Sequence, residues 1–218
     1  MRERALIFAN GDPNDGPMVR RALAHAPDAL IVAADGGARV AQHFQLPIHA
    51  VIGDMDSLGA AEVEALAATG TLIERAPTDK NETDLELALL WAVAQGARWL
   101  RIIGALGDRL DQTLGNVHLL ALPSLAGCDV RLVAGKQAAW LARPGCTDID
   151  GAVGDTLSLL PLSDTVQGVR TERLKYPLND EPLIFGPARG ISNVMLAESA
   201  QVCLRAGLLL IVQTRGRA

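Results

Sequence analysis

Ala29-Leu30-Ile31-Val32-Ala33-Ala34-Asp35-Gly36-Gly37-Ala38 decides the fold of this chain. Residues 29–34 read as a buried strand, Asp35-Gly36-Gly37 as a turn, and residues 38–45 as a helix. The same unit recurs on either side. Strand-like runs at 5–9, 50–53, 72–75, 99–103 and 129–134 alternate with helical stretches at 18–26, 60–69, 83–95 and 110–122. Thr83 and Glu86 make a capping-box pattern, Gly96 supplies that helix's stop, and Pro123 ends the last helix. Repeated β–α alternation predicts a doubly wound, mostly parallel sheet with right-handed crossovers.

After about residue 135 helical periodicity disappears. Short β-rich runs at 156–160, 166–170, 183–185, 191–196, 200–205 and 208–213 recur between Gly, Pro and Asp. Their spacing predicts a small antiparallel β-sandwich, with Ala206-Gly207 as a hairpin turn. The fold class is therefore α/β followed by β-sandwich, with domains at 1–134 and 135–218.

Composition narrows the function. The 218 residues are 49% hydrophobic and 21% charged, which predicts a substantial core rather than disorder. A net charge of -5 and 3% aromatic residues argue against a nucleic-acid partner, which needs a basic face or stacking platforms. No apolar run is long enough to cross a bilayer, and the N-terminal one is too short for a signal segment, so a soluble, cytoplasmic protein with no membrane partner is expected. Cys128, Cys146 and Cys203 lack zinc-ligand spacing and read as reduced structural thiols.

Four polar runs follow strands in the first domain: Asp35-Gly36-Gly37, Gly53-Asp54-Met55-Asp56-Ser57, Lys80-Asn81-Glu82-Thr83-Asp84 and Gly104-Ala105-Leu106-Gly107-Asp108-Arg109-Leu110-Asp111. A parallel sheet binds ligands at this edge. Asp35, Asp54, Asp56, Asp84 and Asp111 converging there would repel one another unless a cation sat among them. Mg²⁺ holding a polyphosphate is the natural one. In extended geometry Asp54 and Asp56 point the same way and share the ion. Lys80 and Asn81 ahead of a helix start suit phosphate oxygens, and Arg109 suits them bidentately.

Each run also has a plainer reading. Asp54 and Asp56 can bond local backbone N–H groups in a turn. Asp84 can stabilise a helix dipole, worth about 0.3–1 kcal/mol. Asp35-Gly36-Gly37 can be an ordinary strand-to-helix turn, and Arg109 with Asp111 a surface pair. Gln112 and Asn116 share a helix face, where amides are usually solvated. Gly190-Ile191-Ser192-Asn193 reads as a turn entering a strand.

Taken in order, these runs resemble the thiamine pyrophosphokinase (thiamine diphosphokinase) family. The matching elements are Asp35-Gly36-Gly37-Ala38, Gly53-Asp54-Met55-Asp56-Ser57, Asn81-Glu82-Thr83-Asp84, Gly107-Asp108-Arg109-Leu110-Asp111, Leu174-Lys175-Tyr176-Pro177-Leu178 and Ser192-Asn193. None is specific alone; six in order are. The resemblance implies transfer of a pyrophosphoryl group from ATP to thiamine, giving thiamine diphosphate and AMP. It implies a nucleotide-binding first domain, a thiamine-binding second domain, Mg²⁺ and a homodimer. It places Asp54, Asp56 and Asp84 on metal and phosphates as catalytic residues. Asp35, Gly36, Lys80, Asn81, Thr83 and Arg109 fall on ATP, and Asp111, Gln112, Ser192 and Asn193 on thiamine, the last two reaching it from the partner subunit. Two positions depart from the pattern: Gln112 stands where many members have His, and Asp108 where Gly is common.

Such a transfer depends on positioning and charge neutralisation. Asp111 is the candidate to orient or deprotonate the attacking hydroxyl. Ile52-Gly53-Asp54-Met55-Asp56 also resembles the nucleophile motif of haloacid-dehalogenase-like phosphatases, although it follows the third strand rather than the first. A non-catalytic thiamine- or nucleotide-binding module is the other alternative.

Overall fold

The computed structural model describes residues 2–216. The chain divides into two compact units after Gly135.

The first unit alternates as the sequence predicts: β1 (Arg4–Phe8), α1 (Pro17–His25), β2 (Leu30–Ala34), α2 (Gly37–His43), β3 (Ala50–Gly53), α3 (Ala60–Ala68), β4 (Leu72–Arg75), α4 (Asp84–Ala94), β5 (Trp99–Ile103), α5 (Leu110–Leu119) and β6 (Asp129–Ala134). All strand pairs here are parallel, in the order β6-β5-β1-β2-β3-β4. Central strands carry the core. Ala5, Leu6, Ile7 and Phe8 of β1 are at most 1% exposed, as a strand covered on both faces must be. Helix α4 packs on β1, β2 and β3 through Leu85, Ala88, Leu89 and Ala92, which recur at helical spacing. Burying one such leucine stabilises the fold by about 1.5–3 kcal/mol. Thr83 caps this helix, its hydroxyl accepting the Glu86 N–H at 3.2 Å. Edge strand β4 carries Glu74 and Arg75 exposed, charges that discourage pairing with another chain.

Glu62 ties two helices on the surface. It accepts the Gly59 N–H at the start of α3 and pairs bidentately with Arg39 of α2 at 2.7 and 2.8 Å. The Arg39 hydrogen bonds, then the Gly59 N–H, lower its carboxyl pKa from 4.5 to about 2. The folded value lies below the unfolded one, so this contribution is complete above pH 4.5 and fades as pH falls towards about 2. Urea midpoints measured across that window should fall less steeply in Glu62→Gln than in the wild type. Parallel slopes would show that the pair contributes nothing.

The second unit is all β, with β7 (Gln137–Ala142), β8 (Gly145–Asp150), β9 (Thr156–Pro161), β10 (Thr165–Glu172), β11 (Glu181–Ile184), β12 (Asn193–Val194), β13 (Ser199–Leu204) and β14 (Leu209–Thr214). Two antiparallel sheets form, β12-β9-β14-β7 and β11-β10-β13-β8. Their cores alternate along each strand, with Ala138, Trp140 and Ala142 buried on β7 and Ala200, Val202 and Leu204 on β13.

The structure corrects four sequence expectations here. Strands β7 and β8 were not expected. The run at 191–196 keeps only the short strand β12. Ala206-Gly207 is no hairpin, because β13 and β14 belong to different sheets and the turn carries the chain between them. Cys146 and Cys203 are not reduced thiols. They lie opposite each other on β8 and β13, Cα atoms 4.0 Å apart, and form a disulfide, while Cys128 is free. A separation of 57 residues hides in the sequence what strand register creates. No helix among the described residues is long and apolar enough to cross a membrane.

Candidate active site

The chain runs β1 to β4 towards one edge of the parallel sheet, then returns to place β5 on the other side of β1. Strand order reverses between β1 and β5, and such a crevice opens at the carboxyl ends of the strands. A cleft of about 1140 Å³ lies there, lined by the loops after β1, β2, β3 and β5 and the start of α4.

Asp35 and Asp84 make its floor acidic, with Asp54 beside them. Asp35, Asp54 and Asp84 each bring one carboxylate oxygen within 4.8 Å of the other two. Three local features allow this approach. Asp35 adopts a left-handed backbone, φ 43°, uncommon for a residue with a side chain. Its N–H donates to Ile52 O at 2.9 Å and its Oδ2 accepts the Ser57 N–H at 3.1 Å, which locks the β2 loop to the β3 loop. Gly53 has no side chain, and a Cβ there would stand 3.0 Å from both the Asp35 and Asp84 side chains.

Lys80 spans two of the three acids, its Nζ 3.3 Å from Asp54 Oδ2 and 3.0 Å from Asp84 Oδ1. Asp35 Oδ1 is buried with no hydrogen-bond partner, on a residue 4% exposed. A buried acceptor left unpaired among carboxylates is costly unless a cation meets it. An all-oxygen, hard donor set of this kind fits Mg²⁺. Burial pushes the Asp84 carboxyl above its usual range; Lys80 pulls it down, and Asp54 and Asp35 push it further up. Asp54 is held below its usual range, first by the Asp56 N–H and, against some desolvation, by Lys80.

Asp56 departs from the expected ligand set. The shared direction of Asp54 and Asp56 assumed an extended backbone, but Met55 between them is left-handed, φ 66°, and buried. Asp54 turns into the triad and accepts the Asp56 N–H at 3.1 Å, whereas Asp56 lies exposed along the cleft wall. Asp54 thus makes the local turn bond and faces the other two acids as well, whereas the Asp56 carboxylate does neither.

Of the other expected residues, Thr83, Arg109 and Gln112 line the cleft; Gly36, Asn81 and Asp111 do not. Gly36 sits beside the cleft residue Asn10, whose amide occupies the space a Cβ at Gly36 would need. Asp111 is exposed and paired with Arg109 at 2.5 Å, an arrangement that lowers its pKa and holds it away as a general base. Ser192 and Asn193 belong to the second unit. Ser192 is exposed, but Asn193 is buried, its Oδ1 accepting the Tyr176 N–H at 2.9 Å and its Nδ2 donating to Tyr176 O at 2.7 Å. These bonds make Asn193 a brace for the Tyr176 segment rather than a free ligand. Tyr176 itself is 58% exposed.

Sequence reading missed several lining residues. Asn10, Gly11, Asp12 and Asn14 after β1, and Thr78, were given no site role, and Glu82 entered only as part of the 80–84 run. Asn116 is not solvated: it is buried and donates to Ala105 O at 2.7 Å, pinning the glycine-rich loop to α5. A turn after the most apolar strand was the available signal for Asn10, but only strand order shows that β1 borders the crevice.

Comparison with known proteins matches two family models: "Thiamin pyrophosphokinase, catalytic domain" over residues 22–132 and "Thiamin pyrophosphokinase, vitamin B1 binding domain" over residues 147–209. The thiamine pyrophosphokinase of Bacillus subtilis (strain 168) is 27% identical over 170 residues, 78% of this chain and 79% of that protein. Among solved structures, a thiamin pyrophosphokinase family protein from Enterococcus faecalis superposes with a TM-score of 0.86 at 28% identity, covering 98% of this chain and 100% of that one. The thiamin pyrophosphokinase from Geobacillus thermodenitrificans gives 0.83 at 28% identity, covering 97% of each chain. Neither the phosphatase reading nor the binding-module reading finds support, and Asp54 follows β3 rather than the first strand.

Proposed function

Since the chain belongs to the thiamin pyrophosphokinase family and transfers pyrophosphate to thiamine, we propose that the cleft over β1 and β5 is where the transfer happens, with ATP as donor and Mg²⁺ as cofactor. The observation that carries this is the unpaired, buried Oδ1 of Asp35 within the triad of Asp35, Asp54 and Asp84. These three residues would hold the ion. When bound, Mg²⁺ supplies positive charge against the polyphosphate.

The chain's own groups do the rest. Lys80 and Arg109 neutralise phosphate oxygens and the charge that grows on the bridging oxygen as AMP leaves. Thr83, whose hydroxyl hydrogen is free to donate while its oxygen caps α4, and Asp56 border the same space. Gln112 lines the wall and can donate to or accept from the thiamine hydroxyl, but an amide cannot remove its proton. Asp111 can act on that hydroxyl only after releasing Arg109. Arg109 binding phosphate would release it, which links donor binding to base availability. Ser192, beside the Tyr176 segment braced by Asn193, stands for the thiamine contact of the second unit. A homodimer accords with apolar side chains exposed on that unit, among them Tyr176, Phe185 and Leu196. A cytoplasmic location accords with the need for ATP.

Incubation with thiamine, ATP and Mg²⁺ should give AMP and thiamine diphosphate in equal amounts by chromatography. ADP with thiamine monophosphate would mean γ-phosphoryl transfer and would overturn the donor chemistry. Sedimentation of a single monomeric species would overturn the dimer.

A further inference from the structure

Lys80 is committed to carboxylates in this structure. Among the described residues its ammonium pairs with two carboxylates, at 3.3 and 3.0 Å, that together with Asp35 make the triad. Its side chain is largely buried, 12% exposed. One positive charge serves three acids, and it reaches only two of them. Asp35 Oδ1, on a residue 4% exposed, is left without a partner. The ammonium is thus an incomplete substitute for a divalent ion.

We propose that Lys80 is an exchangeable counter-ion that makes metal and polyphosphate bind together rather than separately. This rests on the triad being the metal site. A divalent ion on Asp54 and Asp84 must share those carboxylates with the ammonium or expel it, and two cations within about 4 Å in a partly buried site repel strongly. Expulsion costs Lys80 both its ion pairs. Alone, therefore, the ion binds weakly. A polyphosphate in the cleft changes the balance. Lys80 lies in the loop between β4 and α4, and its four-carbon stem lets the head swing to a phosphate oxygen. The ammonium keeps a counter-charge, and the triad is freed for the ion. The coupling is reciprocal: nucleotide tightens metal, and metal tightens nucleotide. Lys80 acts on the metal through Asp54 and Asp84, so it is a positioning residue as well as a phosphate contact.

The test is a spin-resonance titration of the whole protein with Mn²⁺, alone and with the α,β-methylene analogue of ATP. Wild type should bind Mn²⁺ weakly alone and much more tightly with the analogue. Lys80→Met, with Lys80→Gln as a second variant should the first fail to fold, should bind Mn²⁺ alone about tenfold or more tighter than wild type. The analogue should then add little. Lys80→Arg keeps the charge and should stay weak for Mn²⁺ alone. A merely structural lysine would weaken Mn²⁺ binding when replaced, the opposite sign. Unchanged or weaker binding in both Met and Gln variants, with Asp35→Asn abolishing it, would overturn the exchange and leave the metal site standing. If Asp35→Asn instead leaves Mn²⁺ affinity intact, the ion sits elsewhere, and the assignment of the triad fails along with the exchange.

Discussion

Replacing Asp84 by Asn should lower turnover by about 10²–10³-fold and leave metal-free stability equal or higher. Asn keeps the size of the side chain but loses the charge that the triad offers a cation, and an amide is a poor ligand for Mg²⁺. The stability half follows from the sign of the pKa shift. Burial raises the Asp84 carboxyl in the folded state. Its contribution is then greatest below the unfolded pKa and is lost as pH rises through the folded one, so at neutral pH the charged form opposes folding. Asp54→Asn should lose as much turnover, with the opposite effect on stability. The Asp56 N–H and Lys80 hold the Asp54 carboxyl below its ordinary range, so its charge favours the fold at neutral pH. From the sequence, crowding alone predicts that Asp54→Asn leaves stability level or raised; hydrogen bonding at Asp54 reverses that. Steady-state rates with Mg²⁺ and urea midpoints without it check both. Near-normal turnover in either variant would return that residue to a turn-forming role.

Gly37→Ala should cost about 3 kcal/mol or more, among the largest effects of a single methyl anywhere in the first unit. A Cβ at Gly37 would lie 2.0 Å from Phe8 O and 2.6 Å from Phe8 C. Both are backbone atoms of the central strand β1, which is buried and hydrogen-bonded to neighbours on either side, so neither can give way. Either α2 moves or the end of β1 does, and the Asp35 loop moves with it. Activity should therefore fall along with stability. Gly115→Ala is the control: in exposed α5 an added Cβ meets nothing within 4 Å. That substitution should stabilise by about 0.5–1 kcal/mol, since alanine loses less backbone entropy in a helix. Denaturation of the two variants side by side, with the unfolding of the first unit followed separately, would expose an equal response as a failure of the steric account.

Much of the candidate site was legible because its residues fall in four short runs after strands, and a carboxylate among apolar residues stands out. Asp35, Asp54 and Asp84 needed no coordinates to be noticed. Asp56 does not gather with Asp54 as expected, because residue spacing gives direction only when the backbone is extended, and a left-handed Met55 cannot be read from its neighbours. Asn193 drew notice as part of a polar dipeptide, but its amide is spent on the backbone of Tyr176, seventeen residues away in the chain. Asn10 was given no site role because an amide in a turn carries no signal of its own.

The alternation of strands and helices, the change to all-β texture near residue 135 and the identity of the acidic residues were determined by the sequence alone. Local hydrophobic period and turn chemistry act within a few residues, so they can be read from a few residues. Strand order, the reversal between β1 and β5 that opens the cleft, the pairing of Cys146 with Cys203, and the gathering of Asp35 rather than Asp56 beside Asp54 and Asp84 were decided by tertiary structure. Each depends on which distant segments meet and in what register, and those choices are made by packing the whole unit rather than by any run of residues within it.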